Sequence, residues 1–155
     1  MHGYGQKGWV QRISNLVFVL VPDTAPEPDV IQRARVACRL AHGKKLIPIY
    51  PPLYYYPFLT QEEMSRQLAR LSRKWLRRAS RIWVFFPFDN EDTWRLDSFS
   101  HEILAANQGP HRQERLPVCL LHQVGESYVP VAMDRAEVND LLMGNATAGL
   151  AGVGI

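Results

Sequence analysis

The chain has 155 residues, a formal charge of +3 with histidines neutral, and 46% hydrophobic residues. Those values describe one globular domain able to bury its own core, and they exclude wholesale disorder and a strongly basic protein. Two cysteines, Cys38 and Cys119, stand far apart, which excludes a disulfide framework and a cysteine zinc site and points to a reducing, cytoplasmic setting.

The longest apolar stretch is about a third of a membrane span, and the first residues show no signal-peptide pattern, so no membrane is expected. That stretch, Leu16-Val17-Phe18-Val19-Leu20-Val21, is closed by Pro22. Its lack of alternation predicts a strand buried on both faces. A proline-rich loop follows. A helix is then expected over about 29–41, capped by Asp29, with Val30, Ala34, Ala37, Cys38 and Ala41 inward and Gly43 as its stop. Residues 45–50 read as a second strand in which Pro48 withholds one ladder donor.

Residues 51–59, Pro-Pro-Leu-Tyr-Tyr-Tyr-Pro-Phe-Leu, carry too much proline for a helix and too many aromatics for a solvated linker. They predict an ordered loop lying over something. Thr60 and Glu63 then form a capping box. The helix they open has Met64, Leu68, Leu71, Trp75 and Ala79 at helical spacing, a core-facing stripe. Residues 82–86 give a third buried strand, and 87–96 an acidic loop. Asp97 or Ser98 caps a helix to about Asn107, with Gly109-Pro110 as its stop. Residues 116–122 give a fourth strand. Val124-Gly125-Glu126-Ser127 turns into a fifth, at an edge, and Asp134 and Glu137 cap a last helix. Residues 1–143 make a single domain, and the glycine-rich residues 144–155 a flexible tail.

This order predicts an α/β, three-layer flavodoxin-like (Rossmann-like) sandwich around a mainly parallel five-stranded sheet, ordered 2-1-3-4-5. Ligands of such sheets bind beyond the carboxyl ends of the strands, which nominates the loops after Val21, Tyr50 and Phe86.

Glu102 is the sharpest chemical candidate. It is placed in the first turn of the helix after the third strand, where the positive helix end favours an ionised carboxylate. Such a carboxylate beside an anomeric carbon can act as a nucleophile, although first-turn acids also serve helix stability alone.

The run Leu46-Ile47-Pro48-Ile49-Tyr50-Pro51-Pro52-Leu53-Tyr54, the helix leading into Arg78-Ala79-Ser80-Arg81-Ile82-Trp83-Val84-Phe85, and Ser98-Phe99-Ser100-His101-Glu102-Ile103-Leu104-Ala105-Ala106 resemble the nucleoside 2-deoxyribosyltransferase-like superfamily. The similarity covers about residues 16–107. It implies a deoxyribosyltransferase or hydrolase acting on the N-glycosidic bond of a nucleoside or nucleotide, with Glu102 as nucleophile and Ser98 beside it. It also implies a homo-oligomer that needs neither metal nor organic cofactor. Architecture and resemblance together nominate Pro22, Asp23, Tyr54, Pro87, Asp89, Asp97 and Ser98 for substrate binding. The chain departs from the family pattern at Val21-Pro22-Asp23, where the family has Gly-Pro-Tyr, and at Ser72 and Ser80, where it has aspartates. Two alternatives stand beside the enzyme: a catalytically degenerate nucleotide-derivative binding module, and a small interaction subunit.

Tyr54, Tyr55, Tyr56 and Phe58 suit stacking on a nucleobase, a hydrophobic lid or a subunit contact. Arg66, Arg70, Arg73 and Arg77 lie opposite the apolar stripe, and the low net charge favours a solvated face over a nucleic-acid site. The five histidines lack ligand spacing. No glycine-rich phosphate loop and no Gly-x-Ser-x-Gly elbow occurs.

Overall fold

The computed structural model of the chain describes residues 12–22, 30–86, 95–109 and 115–144. The elements run β1 (Leu16–Leu20), α1 (Val30–Gly43), β2 (Ile47–Ile49), α2 (Pro51–Tyr55), α3 (Gln61–Arg78), β3 (Arg81–Val84), α4 (Ser98–Asn107), β4 (Val118–Val124), β5 (Ser127–Met133) and α5 (Arg135–Leu142). The strands form one sheet in the order β2-β1-β3-β4-β5. The pairings β1–β2, β1–β3 and β3–β4 are parallel, and β5 returns antiparallel to β4. The sheet is the expected flavodoxin-like one. Among the described residues no helix is long and apolar enough to cross a membrane.

The unalternating run in β1 means what such runs mean physically: all five residues are buried, because both sheet faces are covered. Leu16, Phe18 and Leu20, with Ile82, Val84, Val118 and Leu120, pack under α3, α4 and α5 through Leu76, Ile103, Leu104, Val138 and Leu141. Val17, Val19 and Val21, with Trp83, Phe85 and Leu121, meet α1 through Ala34, Ala37 and Ala41. These three alanines are fully buried, and their small side chains let α1 lie close against the valines.

Local chemistry fixes the helix ends. Both capping boxes form: Thr60 Oγ1 accepts from the Glu63 amide and Glu63 from the Thr60 amide, and Asp134 and Glu137 do the same at α5. Gly43 is the last residue of α1 rather than its stop. Beyond it, the Leu46 amide donates to the Ala41 carbonyl at 2.9 Å and the Lys45 amide to His42 at 3.0 Å. That is the Schellman pattern, and Lys45, at φ +64°, takes the left-handed place that glycine usually fills. The β4–β5 turn has Gly125 at φ +65° as its first central residue, where a type II′ turn wants glycine.

Three expectations need correction. Residues 51–59 are not a loop throughout, because Pro51–Tyr55 form α2. The two prolines occupy its first positions, where no amide is needed and the fixed φ suits a helix. The buried line of α3 is Leu68, Ser72 and Leu76, continued by Ala79, rotated about 60° from the expected stripe. Trp75 is only half-buried, because α2 roofs that flank and Tyr54 meets it edge-on at 6.0 Å. Third, the fourth strand starts two residues later than expected, at Val118, after a buried clamp. The Asn107 side chain donates to the Leu116 carbonyl at 3.0 Å and accepts from the Leu116 amide at 2.9 Å, holding the end of α4 to the approach to β4.

Both sheet edges carry proline. The Ile47 amide donates toward β1, to Asn15, so the next residue, Pro48, turns its nitrogen to the open side of β2. Pro130 pairs with Leu121, three rungs from the turn-closing pair Val124–Ser127. In the antiparallel alternation that rung is not hydrogen-bonded, so its nitrogen also faces outward. Each edge thus lacks one donor that a further strand would use. The expected tail beyond Gly144 lies outside the described residues.

Candidate functional site

Four segments reach the carboxyl edge of the parallel strands. Val21-Pro22 leave β1, Tyr50 leaves β2 into α2, Phe85-Phe86 leave β3, and Asp97-Ser98 open α4. The Phe85 amide donates to the Leu20 carbonyl at 2.9 Å, which carries the β1–β3 pairing to that rim. The rim is filled by its own side chains: Val21, Tyr50, Phe85 and Phe86 are buried, and Pro22 is under 2% exposed. Pro22 therefore forms the floor beneath this end of the sheet rather than an open contact.

Among the described residues, a recess of about 380 Å³ opens at the start of α4, lined by Leu96, Ser98, His101 and Glu102. Asp97 is the N-cap of α4, its carboxylate accepting from the Ser100 amide at 3.3 Å. Ser98 is the first helical residue and Glu102 stands one turn further on, so both project from one face. Glu102 thus belongs to the second turn, not the first, and the amides at the helix end go to Asp97 rather than to it.

Ser100, Ile103, Leu104 and Asn107 turn into the core, which leaves Glu102 on the outer side of α4. Its side chain is 55% exposed, and Oε2 lies 3.9 Å from an Arg73 guanidinium nitrogen across the α3–α4 contact. A pair this exposed contributes at most about 1 kcal/mol. It does set the carboxylate's direction. His101, the neighbouring residue, lines the same recess, but its Nε2 is 2.8 Å from the Leu142 carbonyl. A carbonyl only accepts, so Nε2 carries the proton and the ring ties α4 to the end of α5.

The nominated residues therefore separate. Ser98 and Glu102 share the recess, with Asp97 capping beside them. Tyr54 does not join them. It packs against Trp75, on the flank of α3 opposite Arg73 and its Glu102 pair. Asp23, Pro87 and Asp89 lie outside the described residues. The two serines that stand where the resembled family has aspartates are structural. Ser72 is fully buried under α3, and the Ser80 hydroxyl donates to the Leu16 carbonyl at 3.0 Å and accepts from Arg81 Nε at 3.2 Å.

Sequence reading missed Arg73 and His101 as members of this neighbourhood. Arg73 was one arginine in a stripe, and only the α3–α4 packing selects it. His101 diverges from Glu102 by about 100° around the helix, yet the recess is wide enough to take in both. Chemically, the site offers a carboxylate, a guanidinium, a hydroxyl and the edge of an imidazole whose N–H is held by Leu142, on an open polar surface, which suits a hydroxyl-rich, hydrated ligand. Among the described residues no group of three His, Cys, Asp or Glu side chains could hold a metal ion. No family model, no curated protein and no solved structure matches the chain.

Proposed function

We propose that the chain is a recognition module for a nucleoside or nucleotide, held at the carboxyl edge of the parallel sheet and at the adjoining start of α4. The observation that carries this reading is the strand order. The chain moves from β1 to β2 on one side and then back across to β3 on the other, so connections diverge between β1 and β3, where doubly wound sheets hold their ligands. The recess with Ser98 and Glu102 opens at the start of α4, the helix that follows β3, and offers partners for sugar hydroxyls. The resemblance over residues 16–107 supplies the ligand class. Binding is favoured over turnover because Ser72 and Ser80 cannot act as carboxylic acids and Glu102 is turned outward onto Arg73. Calorimetric titration of the full chain with deoxynucleosides and their 5′-monophosphates tests it. Saturable binding weakened by Ser98→Ala is expected, and no heat with any member of the panel would remove the reading.

A second reading, N-glycosidic transfer or hydrolysis, is favoured by one fact: Ser98 and Glu102 line the same recess. The Glu102 carboxylate would attack the anomeric carbon, the base leaving with the bonding pair and taking up a proton. A second base or water would then release the sugar from Glu102. Base exchange followed by chromatography tests this, together with a 2-fluoro substrate that traps a sugar adduct on Glu102. Exchange abolished by Glu102→Gln would establish the enzyme, and binding without exchange the module.

A further inference from the structure

The basic residues that cluster along one short stretch of the sequence fall mostly on one helix. α3 carries six cations, Arg66, Arg70, Arg73, Lys74, Arg77 and Arg78, against two acids, Glu62 and Glu63, both in its first turn. The buried line of the helix is Leu68, Ser72 and Leu76. Arg66, Arg70 and Arg77 therefore run along the opposite side, with Lys74 and Arg78 next to them, and all six cations are exposed. Among the described residues only Arg73 of the six has an ion-pair partner.

The flank next to Lys74 and Arg78 carries Trp75, and there the helix meets an aromatic cluster from α2 and the turn after it. Tyr54 contacts Trp75 edge-on, and Phe58 and Tyr55 at ring separations of 5.7 and 5.0 Å. Tyr54, Tyr56 and Phe58 are 55%, 66% and 60% exposed. Large rings this exposed, beside an uncompensated basic helix, do nothing for the core of this fold.

We propose that this face, α2 with the outer side of α3, binds single-stranded nucleic acid, phosphates along the arginine row and bases stacked on the exposed rings. Both parts of such a site are present, a positive track and a stacking platform. Arg66 to Arg77 spans about 16 Å at 1.5 Å per residue, room for about four phosphates of a stacked strand. Five of the six cations are arginines, whose planar forks grip phosphate and also stack on bases, which lysines do not. Two of the three exposed rings are tyrosines, which suits a hydrated strand better than insertion into lipid. The low net charge of the chain argued against nucleic acid only while the position of that charge was unknown. The aromatic part of this surface lies on the opposite flank of α3 from the Glu102 recess; the arginine row borders the recess through Arg73, and the proposal does not depend on that pair.

The test is fluorescence anisotropy of the full chain with a labelled oligothymidylate or oligouridylate of about 20 nucleotides, between about 50 and 200 mM salt. Affinity should fall with salt at a log–log slope of about −3, and Arg70→Ala and Arg77→Ala should each flatten that slope by about 0.7. Tyr56→Ala and Phe58→Ala should weaken binding about tenfold or more with little change in slope, while circular dichroism shows an unchanged fold. Four results would overturn the proposal: no binding at the lowest salt, indifference to both aromatic substitutions, equal affinity for heparin or duplex DNA, or binding confined to phosphatidylserine vesicles.

Discussion

Replacing Asn107 with alanine probes the packing argument where the structure makes it sharpest. The side chain is 7% exposed and closes a two-bond ring with the Leu116 main chain, at 3.0 and 2.9 Å. Leu116 is itself buried, at 5%, so alanine would leave one amide and one carbonyl without partners and without easy access to water. Each orphaned group costs about 1–3 kcal/mol. The expected loss is about 3 kcal/mol, a large share of the roughly 5–15 kcal/mol that holds such a domain. In urea the midpoint should fall while the slope stays constant, and the melting temperature should drop by about 6–12 °C. Asn107→Asp adds a sign test. Only a protonated aspartic acid can donate to the Leu116 carbonyl, and burial also disfavours the charged form, so its folded pKa lies above the unfolded value. The stabilisation it retains should be complete below about pH 4 and lost as pH rises through the folded pKa. A loss below about 1 kcal/mol in the alanine variant, or an aspartate variant that improves with rising pH, would refute the reasoning.

Lys45→Gly should stabilise the protein by about 0.5–1 kcal/mol, read as a melting temperature raised by about 2–3 °C, because the left-handed backbone at φ +64° costs a side-chain-bearing residue more than glycine's extra entropy. An unchanged or lower melting point would show the turn is not strained. Burial pushes the Cys38 thiol up to about 11, whereas Arg81 partly offsets the same effect at Cys119. At pH 8 a thiol reagent should therefore modify Cys119 first, and Arg81→Ala should slow it; equal rates at the two cysteines would contradict this. Pro130→Thr restores an outward amide on β5, beside the exposed Val129 and Val131, and should produce concentration-dependent association in sedimentation experiments. A variant that associates no more than the parent would show that proline does not guard that edge.

The fold was legible because its signals are local or periodic. Unalternating apolar runs such as 16–21 and 82–86 announce a sheet covered on both faces, and Thr60, Asp97 and Asp134 mark helix starts by chemistry confined to four residues. What stayed hidden depends on contacts between distant segments. Ser72 reads as polar, yet its small side chain lets α3 sit down on the sheet, so the buried line rotates away from Trp75. Asn107 reads as a helix end, and only the return of the chain to Leu116 makes it a clamp. The prolines at 51 and 52 argued against a helix by number when their position argued for one. At the candidate site, Ser98 and Glu102 were legible as a pair through their four-residue spacing, whereas Arg73 and the separation of Tyr54 follow from which side of α3 each neighbour packs against.

The most direct test of the proposed function is an amide chemical-shift titration of the isotopically labelled chain with a 2′-deoxynucleoside 5′-monophosphate. If the ligand is held where the connections diverge, the saturable shifts should gather at Val21, Phe86, Ser98, His101 and Glu102, the carboxyl edge and the start of α4. The α2–α3 face away from Arg73, Tyr54 to Phe58 with Arg66, Arg70 and Arg77, should stay nearly still with this mononucleotide. An absence of shifts, or shifts confined to the α2–α3 face, would contradict the account and leave the sheet edge without a ligand.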